Sequence, residues 1–90
     1  MTVKFPAKAR EITGVREDTL AIEQSTTVLD VLRMLAAKHG DKLKEYLFDP
    51  LSGNPRQHLR FILNGVSATA SDVFPLTDSI LLIFPPTSGG

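Results

Sequence analysis

Cysteine and tryptophan are both missing from this 90-residue chain, and tyrosine occurs once. Without cysteine there is no disulfide framework, no thiolate nucleophile and no cysteine-bound metal. That usage suits a reducing compartment, and the expected location is the cytoplasm. Net charge is missing too, because ten Lys and Arg balance ten Asp and Glu. A neutral chain with no basic run lacks the electrostatic footprint of a nucleic-acid binder, so no nucleic acid is expected as a partner. No apolar run approaches the roughly 18 residues of a membrane span, and no signal-peptide core follows Met1, so no membrane partner is expected either. Low-complexity blocks and internal repeats are absent.

Catalytic constellations are equally sparse. His39 and His58 have no ligand-spaced companions, and there is no His-Glu-x-x-His pattern, so no metal site is expected. No glycine-rich phosphate loop occurs. Ser88 lacks the Gly-x-Ser-x-Gly setting of a nucleophile. Asp49-Pro50-Leu51-Ser52-Gly53-Asn54 is turn chemistry without the acidic alternation of a calcium loop. The expectation is a chain with no catalytic residues and no bound cofactor, not an enzyme in its own right.

What is present is a 42% hydrophobic content, enough for one core in one domain. Val3 to Ala9 alternates apolar residues at odd positions, the two-residue period of a strand, with Pro6 deleting a ladder donor and predicting a bulge or early end. Arg10 to Gly14 reads as a turn with Gly14 at positive φ. Asp18 to Glu23 predicts a second strand with Leu20 and Ile22 on one face. Thr27 and Asp30 form a capping-box pattern ahead of a helix striped by Val28, Val31, Leu32 and Leu35, with Leu29 and Met34 widening its apolar arc. Gly40 suits the left-handed residue that ends it.

Asp41 to Phe48 predicts a shorter helix with Leu43, Tyr46 and Leu47 on one side, and Asp49 to Pro55 a surface loop. His58 to Leu63 reads as a third strand, Asn64-Gly65 as a type I′ hairpin turn and Val66-Ser67-Ala68 as the return strand. A single turn is expected around Phe74-Pro75-Leu76. Ile80 to Phe84, apolar at every position, reads as a central strand covered on at least part of both faces. This order describes an α+β fold, a mixed sheet of about five strands wrapped around one main helix with its first and last strands parallel at the centre. That is the ubiquitin-like β-grasp arrangement.

After Phe84 the pattern changes. Pro85 and Pro86 have no N–H and fixed φ, which forbids further ladder or helix. Thr87, Ser88, Gly89 and Gly90 then form a polar exit ending in two residues without side chains. The division expected is a domain over 1–84 and a flexible tail over 85–90. Such a tail suits a narrow slot in another protein, because glycine lets a second backbone come close.

Several segments carry a family resemblance. Val3 to Gly14 resembles the first strand and turn of the MoaD/ThiS-type sulfur carriers, Thr27 to Leu32 their helix start, and Leu63-Asn64-Gly65 their hairpin. Pro75-Leu76-Thr77-Asp78 and Phe84-Pro85-Pro86-Thr87-Ser88-Gly89-Gly90 resemble the end of the molybdopterin synthase small subunit and of archaeal ubiquitin-like small modifiers. Thr77-Asp78 stands where these proteins usually have Gly-Asp. Pro6 is more like the carriers that serve cysteine biosynthesis.

The resemblance implies that the Gly90 carboxylate is adenylated with ATP by a ubiquitin-activating-type adenylyltransferase and converted to a thiocarboxylate that donates sulfur, first of all in molybdopterin synthesis. Gly89, Ser88, Thr87, Pro86 and Pro85 would thread into the partner's channel, and the large molybdopterin synthase subunit would be a second partner. Phe84 and Phe5 are the expected apolar contacts on the exposed sheet face, with Arg10 and Arg60 as possible polar rim contacts. The alternatives are a modifier conjugated to lysines, or a carrier for cysteine, thiamine or tRNA thiolation.

Overall fold

A computed structural model describes residues 1–23, 25–74 and 78–84. The predicted turn around Phe74-Pro75-Leu76 lies mostly outside them; Phe74 itself is buried, its N–H donating to the Thr26 carbonyl. The elements in order are β1 (Thr2–Lys4), α1 (Ala7–Thr13), β2 (Glu17–Thr19), α2 (Val28–His39), α3 (Asp41–Leu47), β3 (Arg60–Leu63), β4 (Val66–Ala68) and β5 (Ile80–Phe84). The sheet order is β2-β1-β5-β3-β4. β5 lies at the centre, parallel to β1 with Val3 opposite Leu81, and antiparallel to β3 with Phe61 opposite Ile83. This is the expected β-grasp.

α2 forms for the reason its sequence predicts. The Asp30 N–H donates to Thr27 Oγ1 at 3.1 Å and the Thr27 N–H to Asp30 Oδ2 at 3.0 Å, a reciprocal cap on the first turn. Val28, Val31, Leu32 and Leu35 are fully buried against the sheet's inner residues Val3, Phe61, Leu81 and Ile83. Each such side chain contributes about 1.5–3 kcal/mol. The apolar arc is narrower than expected, because Met34 is exposed. Gly40 has positive φ but extended ψ, and it both closes α2 through its N–H to Ala36 and opens α3 by accepting from Lys44.

Residues 7–13 are the principal correction. Ala7 to Thr13 is a helix, where alternation predicted a strand to Ala9 and a turn from Arg10. Val3 and Phe5 obey the two-residue period, and the Phe5 N–H reaches the Arg16 carbonyl at 2.9 Å. Pro6 then ends the ladder and stands as the helix N-cap, its carbonyl accepting from the Arg10 N–H. Ala7, Lys8, Ala9, Arg10 and Glu11 all favour helix, and Ala9 and Ile12 bury one side of it at a spacing of three. Gly14, at φ 79, ends it as predicted.

β2 is shorter than expected, because Leu20 already exchanges backbone bonds with Met1 and the pairing runs out there. β3 starts at Arg60, since Leu59 closes a turn onto the Arg56 carbonyl. Asn64 and Gly65 both have positive φ, as a type I′ turn requires.

Candidate functional site

β5 carries the chain through the middle of the sheet and brings its last described residue, Phe84, to the sheet's end. Its apolar residues do not all meet the core. Leu81 and Ile83 are buried, Leu82 is half-buried, and Ile80 and Phe84 are 46% and 44% exposed, so the outer face is covered only in part, within the expectation of cover on at least part of both faces. Paired residues on neighbouring strands share a face. Lys4 and Ile62 flank Leu82 from either side, and Arg60 lies opposite Phe84. The outer face is therefore an apolar strip, Ile80-Leu82-Phe84 with Ile62 beside it, bordered by two cations. No described element covers it.

Phe84 is where the sequence places it, on this open face. Phe5 is not. It is 2% exposed, on the inner face, with its ring edge-on to the His39 ring at a centroid distance of 5.8 Å. It shares the inward register of Val3, so it belongs to the core and offers no contact to a visitor. Arg60 borders the strip, whereas the Arg10 Nε–H donates to the Phe5 carbonyl at 3.0 Å and pins the start of α1. Pro85, Pro86, Thr87, Ser88, Gly89 and Gly90 lie outside the described residues.

Ile80, Leu82 and Ile62 are the strip members that sequence reasoning missed. The signal was available: in a sheet with its helices on one face, alternate residues of an all-apolar strand must face outward. The sequence marks Asn64 only as a turn residue, yet its Oδ1 accepts from the Ile80 N–H at 2.9 Å while its own N–H donates to the Ile80 carbonyl at 3.0 Å. The hairpin turn thus sets the position of the strip.

A further charged cluster lies at the β2 edge of the sheet. Asp18 accepts Lys38 Nζ on Oδ1 and meets His39 Nε2 on Oδ2, both at 2.8 Å. Burial raises the Asp18 pKa, but the hydrogen bonds and charges of Lys38 and His39 outweigh it and hold the carboxyl below its usual range. The cluster ties β2 to the end of α2. Among the described residues, no group of three His, Cys, Asp or Glu side chains could hold a metal, and no helix is long and apolar enough to cross a membrane.

Comparison with known families settles the lineage. The ThiS family matches residues 3–90. The chain belongs to the ThiS family. No curated protein matches it. Among solved structures, this ThiS-family chain is similar to SAMP1 from Haloferax volcanii, at 28% identity over 99% of this chain and 97% of that one, with a TM-score of 0.86. The small archaeal modifier protein 1 of Methanosarcina acetivorans is 27% identical over 99% of this chain and 94% of its own, with a TM-score of 0.80. A Pyrococcus furiosus protein provisionally named molybdopterin converting factor, subunit 1, is 23% identical over 96% and 95%, with a TM-score of 0.72, and shares the fold.

Proposed function

We propose that this ThiS-family protein is a sulfur carrier activated at the Gly90 carboxylate. The observation that carries the reading is the family match reaching Gly90, on a chain whose central strand, Ile80–Phe84, bears an uncovered apolar strip. The strip is the handle, and the terminus is the reacting group.

A carboxylate resists nucleophiles because it is already negative and oxide leaves poorly. Attack of a Gly90 carboxylate oxygen on the α-phosphorus of ATP, in a partner adenylyltransferase, releases pyrophosphate and leaves a mixed anhydride. Sulfide displaces AMP from that carbonyl and leaves a thiocarboxylate. If the terminal sulfur of a persulfide attacks instead, a thiol must then cleave the acyl disulfide to free the same product. The thiocarboxylate sulfur is a soft nucleophile on a proline-stiffened leash, and stiffness reduces the entropy lost when a tail threads a channel. The acceptor we assign is a molybdopterin precursor held by a large synthase subunit, on the resemblance of the Phe84–Gly90 ending to that enzyme's small subunit.

A second reading is favoured by the likeness to two SAMP1 proteins, one of them described as a small archaeal modifier protein. In it a lysine amine attacks the activated Gly90 carbonyl, expels AMP and forms an isopeptide bond. Intact-mass analysis from the native host tests both. A fraction heavier by the exchange of one oxygen for one sulfur supports the carrier; Gly-Gly remnants on lysines of other proteins support the modifier. A terminus found in neither state overturns both.

A further inference from the structure

Of the chain's two asparagines, Asn54 precedes Pro55 and Asn64 precedes Gly65. The side-chain amide of an asparagine can be attacked by the backbone nitrogen of the next residue. Pro55 has no N–H, so Asn54 is barred from that reaction, whereas Gly65 offers the least hindered nitrogen a chain can provide. Asn64 and Gly65 are both exposed at the hairpin tip, with φ of 50 and 84. A Cβ on Gly65 would meet no atom within 4 Å beyond its chain neighbours, and the Gly65 N–H has no hydrogen-bond partner among the described residues. The nucleophile is unobstructed and uncommitted.

The electrophile is restrained. Asn64 Oδ1 accepts from the Ile80 N–H at 2.9 Å, and Nδ2 lies 3.5 Å from Ser79 Oγ, so the side-chain amide is turned toward the start of β5. Ring closure needs Cγ brought onto the Gly65 nitrogen, which draws Oδ1 off the Ile80 N–H. A local opening of the turn therefore has to precede the chemistry.

We propose that Asn64 is a site of spontaneous covalent modification, converted by water to aspartate and isoaspartate, and that the isoaspartyl form unfastens β5 from the hairpin turn. The Gly65 nitrogen bonds to Asn64 Cγ, the Cγ–Nδ2 bond breaks, and ammonia leaves with the Gly65 amide proton. Water then opens the cyclic imide. Cleavage between Cγ and the Gly65 nitrogen leaves an aspartyl residue. Cleavage at the Asn64 backbone carbonyl sends the chain onward through Cγ as isoaspartate. Ammonia is exchanged for water in both cases, with no oxidant or reductant. The aspartyl form keeps an oxygen acceptor for the Ile80 N–H. The isoaspartyl form puts an extra carbon into the backbone of a two-residue turn whose length sets strand register, and both Ile80 bonds are lost. The step goes beyond the chemistry of Gly90 and needs no partner protein.

The test incubates the full chain in mildly alkaline buffer, folded and in urea, and follows intact mass, peptide maps and hydrogen exchange at the Ile80 amide. The expected result is a mass gain from the replacement of NH₂ by OH, confined to the peptide holding Asn64 and absent from Asn54. It should be at least about tenfold slower in the folded chain than in urea, since the turn must open first. In the purified isoaspartyl fraction the Ile80 amide should exchange about tenfold or more faster, for loss of its hydrogen bond. Asn64→Asp, which isolates the other product, should keep that amide near its native protection. The proposal is overturned if Asn64 stays intact in urea, if the folded chain converts as fast as the unfolded one, or if the isoaspartyl chain protects the Ile80 amide as well as the native chain does.

Discussion

Asn64 holds Ile80 by both its backbone and its side chain, with the N–H reaching the Ile80 carbonyl at 3.0 Å and Oδ1 taking the Ile80 N–H at 2.9 Å. One residue therefore makes the hairpin turn and sets where the central strand begins. Asn64→Ala loses the side-chain bond and also places a residue poorly suited to φ 50 in the turn. It should lower stability by about 1–2 kcal/mol. Asn64→Gly, which restores only the backbone freedom, should fall between the two in thermal melts.

Phe84 and Phe5 should separate cleanly by substitution. Phe5→Ala empties a position 2% exposed in the core and should cost about 3–5 kcal/mol in denaturant unfolding. Phe84→Ala should stay within about 1 kcal/mol of the native chain, since its side chain is 44% exposed on the open sheet face. Its effect should appear instead as an affinity loss of about tenfold or more for the activating enzyme, as for a buried aromatic anchor at an interface. Equal affinity for the two chains would remove the strip from the proposed handle.

Acid should loosen the link between β2 and α2. The Asp18 carboxyl sits below its ordinary value of 3.8 in the folded chain, so its stabilisation is complete above that value and is lost as pH falls through the lowered one. Melts recorded from neutral pH down past 3.8 should fall more steeply for the native chain than for Asp18→Asn, which should start lower and decline less. Asp30, lowered by its hydrogen bonds with Thr27, adds a second acid-sensitive tie at the start of α2 that both chains keep.

Removal of Gly90 should abolish ATP–pyrophosphate exchange by the cognate activating enzyme. Gly89→Ala and Gly90→Ala should slow it, because each added Cβ needs a wider channel around the tail. None of the three changes should move the melting temperature. Normal exchange by the chain lacking Gly90 would eliminate the proposed chemistry.

Much of the architecture was readable in one dimension because its signals are local. The Thr27/Asp30 cap, the stripe of Val28, Val31, Leu32 and Leu35, and the Asn64-Gly65 turn each depend on residues within two helical turns or one hairpin, and each formed as read. The short run after Pro6 is ambiguous in one dimension because Ala7 and Ala9 fit a strand's alternation as well as a helix's spacing, and so few residues do not distinguish the periods. Helix won once Pro6 had ended the ladder and Ala9 and Ile12 found the core. The Gly89-Gly90 pair and the absence of cysteine are facts of the chain alone.

Which face each apolar residue meets was decided in three dimensions. Phe5 and Phe84 are both aromatics at strand ends, yet Phe5 points under the sheet to His39 and Phe84 points out beside Arg60. The same holds for Tyr46, whose position on α3 was legible but whose hydroxyl is buried, without a partner among the described residues, only in the folded chain. Residue type sets how much a side chain gains by leaving water. Only the packing of distant segments sets whether it can.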